Sequence, residues 1–202
     1  MRLRLARMVS VESPTELFLE WYRVEVGVSP VRLPGACCLS TIGLDGFPNA
    51  RFVALKAVRE GAFVVTGPTS SRKGVEIDRA QTVALTFWWP TTERQVRVQG
   101  VALPISREEA ERYFAERVRE SQIVSSVSAQ GKVLDDFARL ERDYGEMFAR
   151  SEGKAIECPA GWGGYAIDPV RIEFLEFSPD RFHRRTLFSR EEGVWVSCCL
   201  EP

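Results

Sequence analysis

The sequence predicts an α+β domain, a mainly antiparallel sheet curled into a barrel with helices flanking it. Three observations carry this. Strand-like segments fall into two groups, one ending near Leu103 and one beginning near Tyr165, with helical segments between them. Within the first group the strands are separated by short turn signals, Asp45-Gly46 and Glu60-Gly61, which is the spacing of a meander. The chain of 202 residues is 45% hydrophobic, enough for one sizeable core, and no repeat, low-complexity tract or linker divides it. Residues 1–202 are therefore expected to form one domain, with 1–12 a flexible N-terminal segment.

Each element has its own signal. Leu17, Phe18, Trp21 and Tyr22 recur at helical spacing behind a Ser-Pro start, predicting a helix from Ser13 to about Glu25. Strands follow at Ala36 to Ile42, Ala50 to Val58 and Ala62 to Thr66, then a short helix near Arg72 to Arg79. Thr82 to Trp89 and Arg94 to Leu103 read as strands, the second placing Gln95, Arg97 and Gln99 on one face and Val96 and Val98 on the other. Ser106-Arg107-Glu108-Glu109 is a capping box that opens a helix running to about Arg119, on which Tyr113 and Arg117 share a face with Ser121 just beyond. A second helical stretch, about Gly131 to Arg150, presents Val133, Leu134, Phe137, Leu140, Tyr144 and Phe148 as a core-facing stripe. After the break at Pro159 to Gly164 come strands at Tyr165 to Ile167, Arg171 to Phe177, Phe182 to Ser189 and Val194 to Cys199.

Composition narrows the function. A net charge of −1 argues against broad nucleic-acid binding and favours a small ligand or a protein partner. No apolar run approaches a membrane span and the basic N-terminus lacks the apolar core of a signal peptide, so a soluble, cytoplasmic protein is expected. The five cysteines, Cys37-Cys38, Cys158 and Cys198-Cys199, lack the spacing of a zinc or redox site and read as reduced, mostly buried thiols. With His183 as the single histidine, a multi-histidine metal site is excluded and no metal is expected.

Four clusters carry candidate chemistry. Gly67-Pro68-Thr69-Ser70-Ser71-Arg72-Lys73-Gly74 leads from a strand into a helix, where hydroxyls, two cations and free N–H groups favour an oxyanion. It departs from a P-loop at Arg72 and at Gly74, where a Ser or Thr should hold Mg²⁺. Judged alone, a capped surface helix is the simpler reading. Arg51 and Lys56 bracket an apolar strand, Tyr113, Arg117 and Ser121 line one helical direction, and Arg181, His183 and Arg185 share a strand face at period two. Arg51 and Lys56 are equally the surface ends of a strand, and Arg181, His183 and Arg185 equally an exposed strand face with Asp180 or nearby glutamates compensating. Together they suffice for two phosphate sites.

In their order along the chain, Arg51-Phe-Val-Ala-Leu-Lys56, Ser71-Arg72-Lys73-Gly74, Glu93-Arg94-Gln95-Val96, Tyr113-Phe114 with Arg117 and Ser121-Gln122-Ile123, Trp162-Gly163-Gly164-Tyr165 and Arg181-Phe182-His183-Arg184-Arg185 resemble the motifs of the FMN-dependent pyridoxine (pyridoxamine) 5′-phosphate oxidases. The resemblance runs from about Pro14 to the C-terminus. It implies a split β-barrel that binds FMN, works as a homodimer with the cofactor at the interface, and oxidises pyridoxine or pyridoxamine 5′-phosphate to pyridoxal 5′-phosphate. Dioxygen is the acceptor and hydrogen peroxide leaves. It implies that Arg51, Ser71, Arg72 and Lys73 meet the FMN phosphate, that Phe52, Val53, Ala54, Leu55 and Lys56 run along the flavin, and that Val65, Thr66, Gln95, Gln130 and Arg185 complete the pocket. Lys56, Tyr113, Arg117 and Ser121 would hold the vitamer phosphate, with Arg181 and His183 closing over its ring as the catalytic pair. Leu175 stands where the family usually places a tryptophan beside the flavin, and Val118 where proline is common. Such changes also occur in relatives that oxidise other small molecules, including phenazine-type substrates. That leaves two alternatives: such an FMN oxidase or reductase, and a non-catalytic flavin- or haem-binding protein.

Overall fold

A computed structural model describes residues 13–202; the segment 1–12, expected to be flexible, lies outside the described residues. Eight strands and five helices occur among the described residues. In chain order they are α1 (Pro14–Val28), β1 (Ala36–Ile42), β2 (Pro48–Arg59), β3 (Ala62–Pro68), α2 (Arg72–Arg79), β4 (Thr82–Trp89), β5 (Arg94–Pro104), α3 (Arg107–Ala115), α4 (Arg119–Val127), α5 (Phe137–Arg150), β6 (Trp162–Glu176), β7 (Arg184–Glu191) and β8 (Val194–Leu200).

All strand pairings are antiparallel, in the order β3-β2-β1-β4-β5-β6-β7-β8, and β3 also pairs with β6 from Phe63↔Ile167 to Pro68↔Trp162. That last pairing closes six strands into a barrel and leaves β7 and β8 as an extension from β6. Period-two burial builds the interior: β4 buries Val83, Leu85, Phe87 and Trp89, and β5 buries Val96 and Val98 while Arg97 and Gln99 face outward, as their alternation predicts. Helix α1 lies on this core through Phe18, whose ring meets Phe63 and Phe87 edge-on at 4.8 Å each. Burying one such ring contributes roughly 1.5–3 kcal/mol. A second, smaller core joins Ala110, Tyr113, Phe114 and Ile123 of the α3–α4 region to Val64 and Trp162 of the sheet.

The structure departs from the sequence reading at five places. The single helix expected to Arg119 is two, because the last turn of α3 tightens with Glu116 and Arg117 N–H groups bonding back and Val118 then goes extended (ψ 145°). Arg117 therefore lies beyond α3 and does not share a helix face with Tyr113. The stripe expected to face the core from Val133 to Phe148 does not: α5 has no buried residue, and Val133 and Phe137 are 90% and 64% exposed. The helix sits outside the barrel and touches the smaller core only through Tyr144 and Met147. The two strands expected on either side of Asp168-Pro169 are one, β6, with the irregularity absorbed by a bulge opposite Gln99 and Gly100. Gly100 makes this approach possible, since a Cβ there would stand 2.3 Å from the Asp168 carbonyl oxygen. Strand β7 begins at Arg184, so Arg181 and His183 sit in the preceding turn and do not form a strand face with Arg185. Finally, all five cysteines are free but only Cys37 is buried, and Cys198 and Cys199 are exposed on the edge strand β8. No described helix is long and apolar enough to cross a membrane.

Candidate active site

Helix α2 starts four residues after β3 ends, so the turn between them brings the helix N-terminus to the edge of the barrel. Ser71 stands at the N-cap, but its hydroxyl donates to the Pro68 carbonyl at 2.7 Å and caps no helical N–H. The first-turn N–H groups are left without a side-chain cap. Lys73 Nζ donates to Ser71 Oγ at 2.9 Å and to Gln130 Oε1 at 2.8 Å. Burial, with the nearby Arg51 charge adding to it, lowers the Lys73 ammonium to about 8. Gly74 has a steric reason: a Cβ there would stand 1.9 Å from the Thr69 carbonyl oxygen.

Beneath these cations lies Glu76, a residue the sequence reading did not single out, with no solvent exposure. Its Oε2 accepts from Thr41 Oγ1 at 2.6 Å and Arg51 Nη2 at 2.8 Å, and its Oε1 from Asn49 Nδ2 and Arg72 Nε at 2.9 Å each. Burial opposes its ionisation, but the bonds from Thr41, Asn49, Arg72 and Arg51 outweigh this and bring the carboxyl down to about 2. Among the described residues, only Glu76 and the exposed Asp45, 3.7 Å from Arg72, pair with Arg51, Arg72 or Lys73. The cluster stays net positive. Glu76 was legible in principle, being four residues past Arg72 on one helix face.

Beside the cluster opens a cleft of about 300 Å³. It brings together Phe52, Val53 and Ala54 of β2, Thr66 of β3, Lys73, Gln130, Arg117 and Trp162. Arg117 donates from Nη1 to Ser125 Oγ at 2.6 Å, and its guanidinium lies 5.3 Å from the Trp162 ring. Burial lowers its pKa. Ser125 and Trp162 are further residues that the sequence reading left out of the site. Ser125 lies four residues after Ser121, a helical spacing that would have found it.

Lys56 reaches α3 because it is the extra residue of a bulge between Leu55 and Ala57, where β2 shifts register against β3. Its Nζ pairs with Glu116 at 2.6 Å and lies 5.5 Å over the Tyr113 ring. Tyr113 is buried and Ser121 is half-buried in the first turn of α4. Val65 and Leu55 pack on the barrel core and pair with each other across β3 and β2, and neither lines the cleft.

The remaining candidates are elsewhere. Gln95, Leu175 and Arg185 form one row across β5, β6 and β7, and Arg185 donates from Nε and Nη2 to Glu173 Oε1 at 2.9 and 2.6 Å. Arg181 and His183 are in the turn just before β7, next to this row. None of these five lines the cleft.

A closed antiparallel barrel carrying a cation-rich cleft at a helix N-terminus defines a split-barrel protein. The chain belongs to the pyridoxamine 5′-phosphate oxidase family: the family model of that description matches residues 28–150, and that of the pyridoxine 5′-phosphate oxidase C-terminal dimerisation region matches 162–202. It is 38% identical over 189 residues to a pyridoxine/pyridoxamine 5′-phosphate oxidase of Leptospira biflexa, covering 94% of this chain and 89% of that one. The corresponding protein of Rubrobacter xylanophilus is 38% identical over 201 residues, covering 100% of this chain and 92% of that one. Among solved structures, PhzG from Burkholderia lata in complex with tetrahydrophenazine-1-carboxylic acid superimposes with a TM-score of 0.89 at 28% identity, covering 95% of this chain and 94% of that one.

Proposed function

We propose that this protein oxidises pyridoxine or pyridoxamine 5′-phosphate to pyridoxal 5′-phosphate, using FMN as cofactor and dioxygen as acceptor, as a homodimer. The observation that carries the proposal is the cleft itself, which collects cationic groups of two origins, Lys73 at the start of α2 and Arg117 between α3 and α4. Two phosphorylated partners account for both.

The residues fit the cofactor. The α2 cluster is net positive, and the Lys73 ammonium is held in an environment that penalises its charge until an anion arrives. Lys73, Arg51, Arg72 and Ser71 would hold the FMN phosphate, Phe52 to Ala54 and Thr66 would border the flavin, and Gln130 would close the pocket over Lys73. Bound FMN supplies a two-electron acceptor for the hydride on the substrate's C4′ carbon. The protein's own part is positioning. Arg117 and Lys56, with Tyr113 and Ser121, would fix the vitamer phosphate, and Arg117 is pre-set for this by Ser125 and Trp162. Arg181 and His183 would close over the vitamer ring, and Gln95, Leu175 and Arg185 would meet the flavin from the partner subunit.

The likeness to PhzG favours one second reading, an FMN oxidase acting on a carboxylated ring. One assay separates them. Purified protein is expected to be yellow, to release FMN on denaturation, and to convert pyridoxamine 5′-phosphate to pyridoxal 5′-phosphate with oxygen uptake. FMN-loaded protein inert toward both vitamers would reject the proposal in favour of the second reading; protein that binds no FMN would reject both.

A further inference from the structure

The turn between β6 and β7 is held by more bonds than a surface connection needs. Asp180 Oδ1 accepts from the Ser178 hydroxyl and, at 3.0 Å, from the Phe182 N–H. The Arg181 N–H donates to the Ser178 carbonyl at 3.0 Å. These bonds hold Arg181 at φ 70°, a left-handed conformation that a residue with a Cβ keeps only where its surroundings fix it.

The same turn fixes His183. Its Nδ1 accepts the Ser178 backbone N–H at 3.1 Å. Its ring lies 4.8 Å from that of Phe177, which in turn meets Trp88 edge-on at 5.1 Å. A ring nitrogen that accepts an N–H carries no proton, so in the neutral imidazole the proton is on Nε2. Neither nitrogen is then free to take a proton: the Nδ1 lone pair is engaged and Nε2 already bears hydrogen. What the ring can do is donate.

We propose that His183 acts as a fixed hydrogen-bond donor through Nε2–H, directed at an acceptor oxygen of the substrate, and that Asp180 is the positioning residue that holds His183 and Arg181 in this arrangement. The inference rests on the reading that Arg181 and His183 close over the substrate ring. The proton that leaves the substrate's hydroxyl or amine does not go to this imidazole.

His183 is the chain's single histidine, so long-range ¹H–¹⁵N correlation on the full-length protein reports one imidazole without ambiguity. The expected spectrum of the neutral ring has an unprotonated Nδ1 and a protonated Nε2. Asp180→Ala is expected to average the two tautomers, and Asp180→Asn, which keeps an acceptor oxygen, to restore the single one. A protonated Nδ1 in the wild type, or an Asp180→Ala spectrum identical to it, overturns the proposal. In turnover, His183→Gln keeps a donor and is expected to lower kcat/KM by about tenfold or less, against roughly 10- to 100-fold for His183→Ala. A loss of about 100-fold or more in the Gln variant as well, the size of a general-base contribution, overturns the donor role. Should the wild type bind FMN yet oxidise no B6 vitamer, the functional reading fails while the tautomer still decides the role of Asp180.

Discussion

Two side chains of α2, Lys73 in the cleft and Glu76 among the arginines beside it, respond to pH in opposite ways. Lys73 is held near 8 by burial and by Arg51, so in free protein that charge is half lost near pH 8 and goes as pH rises further. Binding a phosphate dianion favours the ammonium, so above that point binding must take up a proton. FMN affinity is expected to fall by only about twofold from pH 7 to 8, where the phosphate is already dianionic, and then to weaken by up to about tenfold per pH unit. Lys73→Arg, which stays charged, should show no such break in a fluorescence titration of FMN against pH. Glu76 behaves as a depressed carboxyl: its contribution to stability is complete above its ordinary value near 4.5 and is lost as pH falls through about 2. Glu76→Gln leaves Arg51 and Arg72 facing a neutral group. Because both arginines reach the surface, the cost falls below the roughly 3–5 kcal/mol of a fully buried pair, to about 2 kcal/mol. Urea midpoints should therefore differ between wild type and variant at pH 7 and converge as pH approaches 2.

At the scale of elements, identical substitutions are expected to act in opposite directions on two helices. Gly74 in α2 packs its backbone on Thr69, where a Cβ would stand 1.9 Å from the carbonyl oxygen and 2.6 Å from the carbonyl carbon. Rigid backbone must move, so Gly74→Ala should cost about 1–3 kcal/mol and weaken FMN retention by displacing Lys73. Gly145 lies inside α5 with nothing within 4 Å of an added Cβ. Gly145→Ala should gain about 0.5–1 kcal/mol from helix propensity alone and leave FMN binding unchanged. Thermal melts with a flavin titration on each variant check both signs. The same contrast explains what the sequence made legible. The bounds of β1 and β4 could be read to the residue because turn signals or charge changes abut them. The break between α3 and α4 could not, since Glu116-Arg117-Val118 contains neither glycine nor proline. The amphipathic stripe of α5 was real, but periodicity says only that a face is apolar, not that anything covers it. Motif order located the cation clusters; the bulge that aims Lys56 and the carboxylate that gathers Arg51 and Arg72 depend on contacts between strands and helices far apart in sequence.

At the scale of the whole molecule, barrel geometry separates the two halves of the candidate site. Around the six-strand ring, β2 and β5 are three steps apart either way, through β1 and β4 or through β3 and β6. Outward-facing Phe52 and Ala54 on β2 and Gln95 on β5 therefore lie on opposite sides of one barrel; Lys73 shares the cleft with the first pair, while the turn that carries Arg181 bonds back beside the start of β5 through the Phe177 N–H and the Glu93 carbonyl. A flavin touching both sets needs two chains, which agrees with the match of residues 162–202 to a dimerisation region. A two-fold dimer makes this testable by complementation, because each of its two sites then combines the α2 half of one subunit with the β6–β7 half of the other. Lys73→Ala should lose FMN binding and Arg181→Ala should lose vitamer turnover while retaining FMN, so each homodimer is defective at both sites. In a mixed dimer one site collects both substitutions and the other collects neither. Co-refolding or co-expressing the two variants in equal amounts gives mixed dimers as about half the population, so about a quarter of wild-type sites, and of wild-type oxidase activity, should return. If one chain supplied the whole site, every subunit in the mixture would still carry a defect and activity would remain at the level of the separate variants.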